Sequence, residues 1–345
     1  MSRARKKRIA VVGAGIAGLT CAHMLKGHFD VEIFESTQKN SASRPEQMEG
    51  GIHYCDFVPE LKPLYPIEEV LFSSENHSVI WKGNIGYTYM IGGTEGIDAK
   101  LRQKLEKEVN INYSRRINSL DELSDFDIIV AADGFRSKIA NLAKMRPHLP
   151  RMWGVGIGST VEGEFNIGSM ECTFNADVAP GGYRYLIPIS RNRATLASAC
   201  IARKLDSKKV REKLRDFASA RDFKILNEWT DFEKWYDIDT YNKDNIYLIG
   251  GAASLTEQCF GFGLKYCIRS AKLCARAIND GSDYNNHLKP LLKELRFWEK
   301  VGRWFIYADN KDYDRLIRLM KISFIRKRAQ RGKSIRSFFR FLRLF

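Results

Sequence analysis

Three glycines at the spacing G-x-G-x-x-G, Gly13, Gly15 and Gly18, follow a short apolar run from Lys7 to Val12. That run reads as a buried strand. Gly13 to Lys26 reads as a helix, with Leu19, Ala22, His23 and Leu25 available for its packing face, and Val31 to Phe34 reads as a second strand. Strand, glycine turn, helix and strand in this order make a βαβ unit, whose crossover demands a parallel sheet. Each glycine has a task in such a unit. Gly13 permits the tight turn, Gly15 has no Cβ to block a phosphate, and Gly18 lets the helix pack closely on the strand.

Glu35 ends the second strand, 17 residues after Gly18, in place to accept hydrogen bonds from ribose hydroxyls. The combination points to a bound dinucleotide. A carboxylate here suits unphosphorylated ribose, so FAD or NAD rather than NADP. A tight βα turn that holds no ligand carries the same pattern and stays open at this point.

The basic Arg3 to Arg8 followed by the apolar Ile9 to Ala22 imitates a signal peptide, but the glycines assign that stretch to the βαβ unit. No apolar run is long enough for a transmembrane helix. The seven cysteines include no C-x-x-C pair, which fits a reduced, cytoplasmic compartment. The six histidines are scattered away from Cys and acid partners, so no metal site is expected.

Further along, residues 36–51 read as a loop, Glu95 to Glu108 as a helix and Asp127 to Ala132 as a strand. Residues 153–202 alternate β-branched and aromatic segments with turns, which reads as an antiparallel sheet. Ser207 to Leu226 reads as a charged helix, Asn245 to Gly250 as a strand, and Leu264 to Ile278 as a helix. The expected fold class is α/β: a Rossmann-type dinucleotide-binding domain (1–60, 93–150 and 240–285) with an inserted antiparallel sheet domain (61–92 and 151–239). A helical, basic region (286–345) completes the chain.

Two more motifs narrow the cofactor. Asp133-Gly134 ends a buried strand in FDIIVAADGFRSKIA. In NIYLIGGAASLTEQCFGFGLKYCI a strand enters a Gly/Ala turn, and Gly261 and Gly263 then precede a helix. Bare backbone N–H groups at a helix start make a seat for an anion or an electron-rich ring edge. The order GxGxxG…E, DGxxS and a late G-x-A-A-x₇-G-x-G resembles the flavin hydroxylase superfamily. Within it, Pro180-Gly-Gly-Tyr183-Arg-Tyr185-Leu-Ile-Pro188 resembles the PxxYxWxFP motif of the geranylgeranyl reductase family.

The resemblance runs over about residues 10–280 and implies FAD, with Gly13, Gly15, Ala17, Gly18, Glu35, Asp133, Gly134, Gly251, Gly261 and Gly263 at the cofactor. Tyr183, Tyr185 and Pro188 would line the substrate side. The implied reaction is reduction of isolated C=C bonds of a prenyl chain or isoprenoid lipid by hydride from reduced flavin. The chain departs from the family pattern at several places. Gly251 stands where the family has the Asp that binds the ribityl chain, Gln258 where it has Pro, and Ala140 where it has Arg. Tyr185 replaces Trp, Ile187 replaces Phe, and MEGGIHYC, with Cys55 displaced, occupies the place of a Cys-Gly-Gly segment.

The catalytic residues are not identified by the sequence; Cys259 and His53 are the candidates. Cys259 reads first as a small buried apolar residue and second as a flavin-facing thiol. His53 reads first as a loop histidine and second as an acid or base. Arg136 reads equally as a phosphate contact and as a surface arginine. No second GxGxxG opens a helix, so no separate NADPH domain is expected and the electron donor stays open.

The formal charge is +15, and 11 basic residues with no acid lie between Arg315 and Phe345. In IRSFFRFLRLF, Arg336, Arg340 and Arg343 share one helical face, and Phe338, Phe339, Phe341, Leu342 and Phe345 lie on the remainder. With the cluster from Arg326 to Lys333, this suits an anionic membrane surface contacted through Arg326–Arg343, at ~1 kcal/mol per charge. The other reading is a terminal helix docked on the body. No nucleic-acid module accompanies the charge, so no nucleic-acid partner is expected. The expectation is a cytoplasmic, peripherally membrane-associated FAD oxidoreductase of the prenyl-reducing type. A flavin monooxygenase or halogenase is the second reading, because Gly182 to Pro188 also resembles a GWxWxIP motif with both Trp replaced. A redox-inactive flavin-fold binding protein, motivated by Gly251, is the third.

Overall fold

The computed structural model describes residues 5–39, 46–52, 62–201 and 205–322, with only the backbone at 49–52 and 84. In chain order the first half comprises β1 (Arg8–Val12), α1 (Ile16–Leu25), β2 (Asp30–Phe34), β3 (Gln47–Ile52), β4 (Tyr65–Ser73), β5 (Ser78–Ile91), α2 (Ile97–Leu105), β6 (Asn110–Asn112), β7 (Ile128–Ala131) and α3 (Lys138–Leu142). The second half comprises β8 (Met152–Glu162), β9 (Ser169–Thr173), β10 (Tyr183–Ser190), β11 (Arg193–Cys200), α4 (Ser207–Ser219), β12 (Lys224–Trp235), β13 (Asn242–Lys243), β14 (Ile246–Leu248), α5 (Leu264–Asp280), α6 (Tyr284–Tyr307) and α7 (Asn310–Met320).

Two sheets result. The first has the order β13-β14-β7-β1-β2-β6 and is parallel except for the β13–β14 hairpin. β1 and β7 are short apolar runs because both faces are covered, as in any βαβ sheet. α1 and α5 pack together on one side; their buried faces include Leu19, Cys21, Ala22, Ile268, Ala271 and Cys274. The second sheet has the order β12-β8-β11-β10-β9-β4-β5-β3, and only β4–β9 is parallel. α4 covers one face of it with Val210, Leu214 and Ala218 against Ile157, Val161 and Leu196. The other face looks toward the first sheet. This is the expected α/β class with a Rossmann-type domain, a second sheet and a helical C-terminal part.

Two elements differ from the sequence reading. Gln47–Ile52, read within a loop of the first domain, is a strand of the second sheet, paired with the end of β5. Its glycines carry no apolar alternation, and only the partner strand reveals it. The charged helix ends at Ser219, and Lys224–Trp235 is a twelve-residue strand at the sheet edge. Its polar residues resemble an exposed helix face because an edge strand meets solvent along much of its length. Among the described residues no helix is long and apolar enough to cross a membrane, and no group of three or more His, Cys, Asp and Glu side chains is placed to hold a metal ion. The basic segment Arg326–Arg343 lies outside the described residues.

Candidate functional site

β1 lies between β2 and β7, so the strand order reverses there, and a crevice opens at the carboxyl ends of the strands. Each of the three glycine motifs leaves one of these ends: Gly13 to Gly18 after β1, Asp133-Gly134 after β7, and Gly250-Gly251 after β14. Residues far apart in sequence thus share one edge.

Gly13 has φ +107°, and a Cβ there would lie 2.4 Å from the Ala132 carbonyl oxygen. Its N–H donates to the Phe34 carbonyl at 2.8 Å, tying β1 to the end of β2. A Cβ on Gly18 would meet the Gly13 carbonyl oxygen at 2.0 Å, so helix and turn are in direct contact. Gly15 differs. It is the N-cap of α1 in extended conformation, and a Cβ there meets nothing within 4 Å. Gly134 and Gly261 also face open space, and with Gly15, Ala17, Gly251 and Gly263 they line one crevice.

Glu35 is buried. One carboxylate oxygen accepts from the Ala14 N–H at 2.8 Å and the other from the Thr37 N–H at 2.8 Å, so it braces the glycine turn. Asp133 does not line the crevice. It accepts from the Lys138 and Ile139 N–H groups at 2.7 and 3.2 Å and so holds the Gly134 turn against α3. Burial raises its carboxyl above the usual range despite these bonds. Behind the turn lies Arg102, buried, with its guanidinium 3.5 Å from the Ala14 carbonyl; its Nε has no partner among the described residues. The sequence reading passed over this residue, whose place in an amphipathic helix looks like any surface arginine's.

The late loop is held from several sides. Tyr183 Oη donates to the Phe260 carbonyl at 2.8 Å, and Trp235 Nε1 to the Thr256 carbonyl at 2.9 Å. Glu257 is fully buried and accepts from the Cys259 and Phe260 N–H groups. Phe260 meets the rings of Tyr183, Phe262 and Trp298 at centroid distances of 5.6, 5.7 and 5.7 Å. Cys259 lines the crevice, but burial and the neighbouring Glu257 push its thiol well above the ordinary value, so it is no ready thiolate. His53 lies outside the described residues.

Burial pushes the Glu257 carboxyl up to about 8, against its backbone hydrogen bonds. An acid whose folded pKa is raised binds a proton that the unfolded chain has lost. Its stabilisation is complete below the unfolded carboxylate range and is lost as pH rises through about 8. The expected slope is a loss of ~1.4 kcal/mol per pH unit between roughly pH 5 and 8. Chemical denaturation across that window, compared with Glu257→Gln, checks this: the variant is expected to lack the slope.

The second wall of the crevice belongs to the large sheet. Strand alternation turns Tyr183, Tyr185 and Ile187 of β10 toward the crevice, and sets Pro188 off this wall. Of the expected substrate-side residues, then, Tyr183 and Tyr185 line the crevice and Pro188 does not. Its carbonyl instead accepts from Tyr65 Oη on β4. Across the strands, Tyr183 pairs with Ala199, Ala199 with Gly156, and Gly156 with Asp231. Small residues thus floor a trough between the tyrosines of β10 and the side chains of β12. Met48, Ile91 and Met170 add apolar wall.

The chain fits FAD on its own geometry. Three glycines front open space at the strand ends, α1 presents its N-terminal N–H groups there, and a buried guanidinium backs the turn. The departure from the family pattern at Gly251 has a steric counterpart: a Cβ there would lie 3.0 Å from the Phe135 nitrogen, so an Asp would press on the Gly134 turn.

Residues 11–57 match the family model of a NAD(P)-binding Rossmann-like domain. The chloroplastic geranylgeranyl diphosphate reductase of Nicotiana tabacum is 24% identical over 343 residues, covering 86% of this chain and 72% of that one. The structure of a geranylgeranyl bacteriochlorophyll reductase-like protein from Thermoplasma acidophilum superposes with a TM-score of 0.76 at 14% identity, over 98% of this chain and 100% of that one. A flavin-dependent halogenase superposes with a TM-score of 0.64 at 14% identity, over 97% and 72%. At such identities the structural likeness is one of fold. Motifs, sequence relative and fold agree: the chain is similar in sequence to a geranylgeranyl diphosphate reductase and shares the fold of flavin-dependent oxidoreductases.

Proposed function

We propose that this chain binds FAD and saturates C=C bonds of a prenyl chain or isoprenoid lipid. The observation that carries the reading is the trough itself: an apolar and aromatic channel, walled by Met48, Ile91, Met170, Tyr183, Tyr185 and Ile187, that ends at the Gly261–Gly263 seat. Gly15, Ala17, Gly134, Gly261 and Gly263 would hold the cofactor, with Glu35 and Arg102 bracing the turn. Reduced FAD supplies a hydride, and a proton completes the saturation. The chain's own residues orient the prenyl double bond and exclude water, which an unactivated alkene requires because it offers no polar handle.

The test begins with the visible spectrum of the purified protein and the identity of the released chromophore. FAD is expected. The reduced protein is then mixed anaerobically with a prenyl lipid, and flavin reoxidation with a saturated product is the expected result. Product formation only with oxygen would instead favour a monooxygenase or halogenase, the reading supported by the halogenase-like fold. A colourless protein that takes up no FAD would leave a binding protein. The segment Arg326–Arg343 is proposed as a contact with anionic membrane, which ties a lipid substrate to a peripheral, cytoplasmic location; flotation with anionic against neutral liposomes tests it.

A further inference from the structure

α6 carries a row of cations along one stripe. Lys289, Lys293, Arg296, Lys300 and Arg303 follow one another at steps of four, three, four and three residues, and all are exposed. Like charges one turn apart destabilise a helix, and a merely solvated face mixes the two signs. α4 does so: Glu212 and Asp216 interleave with its cations, and Arg211 and Arg215 pair with Glu228. The acids of α6, Glu294 and Glu299, flank the stripe and are engaged. Glu294 holds Lys265 and Arg269 of α5 at 2.6 and 2.8 Å, and Glu299 holds Arg151 and Arg303 at 3.1 and 2.6 Å. Lys289, Lys293, Arg296 and Lys300 have no ion pair among the described residues. The opposite face of the helix backs the cofactor loop. Trp298 and Phe305 meet the Phe260 ring at 5.7 and 6.0 Å, and a Cβ on Gly302 would lie 2.8 Å from the Gln258 carbonyl oxygen. One helix thickness, about 10 Å, thus separates the stripe from the loop that leads into the Gly261–Gly263 seat.

We infer that the α6 stripe is the docking surface for an acidic electron-donor protein. The inference rests on the FAD reading above and adds the class of the reductant to it. The chain offers no second GxGxxG helix start for a nicotinamide dinucleotide, whereas the unpaired cations offer a protein donor a landing site beside the flavin loop. Carboxylates of the partner complement the stripe, and their long-range attraction speeds encounter while leaving the interface small, as in other weak redox complexes. A membrane fits this helix less well. An interfacial helix sinks an apolar face into lipid, but the apolar face of α6, with Leu288, Leu291, Leu295 and Trp298, is buried in the core. Two donor molecules each lose one electron. The two electrons, with one proton from solvent, reduce bound FAD to the anion that carries the hydride.

The experiment uses the full-chain holoenzyme, with a plant-type two-iron ferredoxin, an acidic one-electron protein, as the probe. Calorimetry reads binding of the oxidised ferredoxin, and stopped-flow absorbance reads reduction of FAD by the reduced form. Lys293→Glu combined with Lys300→Glu is expected to weaken binding and slow FAD reduction at least tenfold, and high salt should do the same to the wild type. Lys209→Glu combined with Lys213→Glu on the exposed face of α4 makes the same change in net charge and should leave both quantities within twofold. Dithionite needs no docking and should reduce all three proteins alike. A wild type that binds no ferredoxin, or equal rates in the two double variants, overturns the docking surface. A stripe variant that keeps its ferredoxin rate but loses anionic liposomes assigns the stripe to a membrane and overturns it likewise. FAD content and bleaching by dithionite are read on every sample, so a wild type without reducible flavin brings down the FAD reading as a separate failure.

Discussion

Gly15→Asp is expected to lower FAD affinity by at least 100-fold while leaving the apoprotein as stable as the wild type. The two halves of this outcome have separate causes. Gly15 is the N-cap of α1, its backbone is extended, and a Cβ there meets nothing within 4 Å. Asp is among the best N-cap residues and stabilises a helix by a few tenths of a kcal/mol relative to Gly. Were this an ordinary βα turn, the substitution would be neutral or mildly favourable. In a phosphate seat it sets a carboxylate against the diphosphate. Two charges about 5 Å apart at an effective dielectric near 20 repel by ~3 kcal/mol, a factor of about 100. FAD titration of the apoprotein together with its melting curve reads both quantities. Unchanged FAD affinity would remove the glycine seat from the cofactor site.

Ala199→Phe should abolish prenyl turnover, with kcat/KM down at least 100-fold, about 3 kcal/mol, and FAD content intact. Ala199 pairs with Tyr183 on one side and with Gly156 on the other, so its side chain shares their face on the trough floor. A phenyl group there would occupy the space assigned to the prenyl chain. It would not touch the strand ends of the first sheet, where the glycines lie. Loss of FAD from this variant would show that the trough and the cofactor seat are not separate. Retained turnover would show that the substrate lies elsewhere.

Arg102, Trp235 and Glu257 support the site, and none was singled out by sequence reasoning. They share a reason. Each acts by holding a backbone group of the site: Arg102 reaches the distant Ala14 carbonyl and Trp235 the Thr256 carbonyl, while Glu257 ties down the N–H groups of its own loop. A single buried polar side chain leaves no periodic signal. Glu257 had the clearest trace, an acid inside a Gly-rich, apolar motif, where burial without a role is costly.

The glycine turn was legible from the chain alone because its constraints are local. Gly13, Gly15, Gly18 and Glu35 act within one βαβ unit, and the steric demands on each glycine follow from the backbone path. The same holds for the order of the three motifs, since parallel strands place their carboxyl ends at one edge. The face of β12 was decided only in three dimensions. The register slips between Ile225 and Asn227. Before the slip, Ile225 pairs with Val161 and packs under α4; after it, Trp229, Asp231, Glu233 and Trp235 pair with β8 residues on the crevice side. Alternation read along the sequence puts Ile225 and Trp229 on one face. One extra residue at the bulge reverses that parity, and pairing with β8 alone sets where it falls.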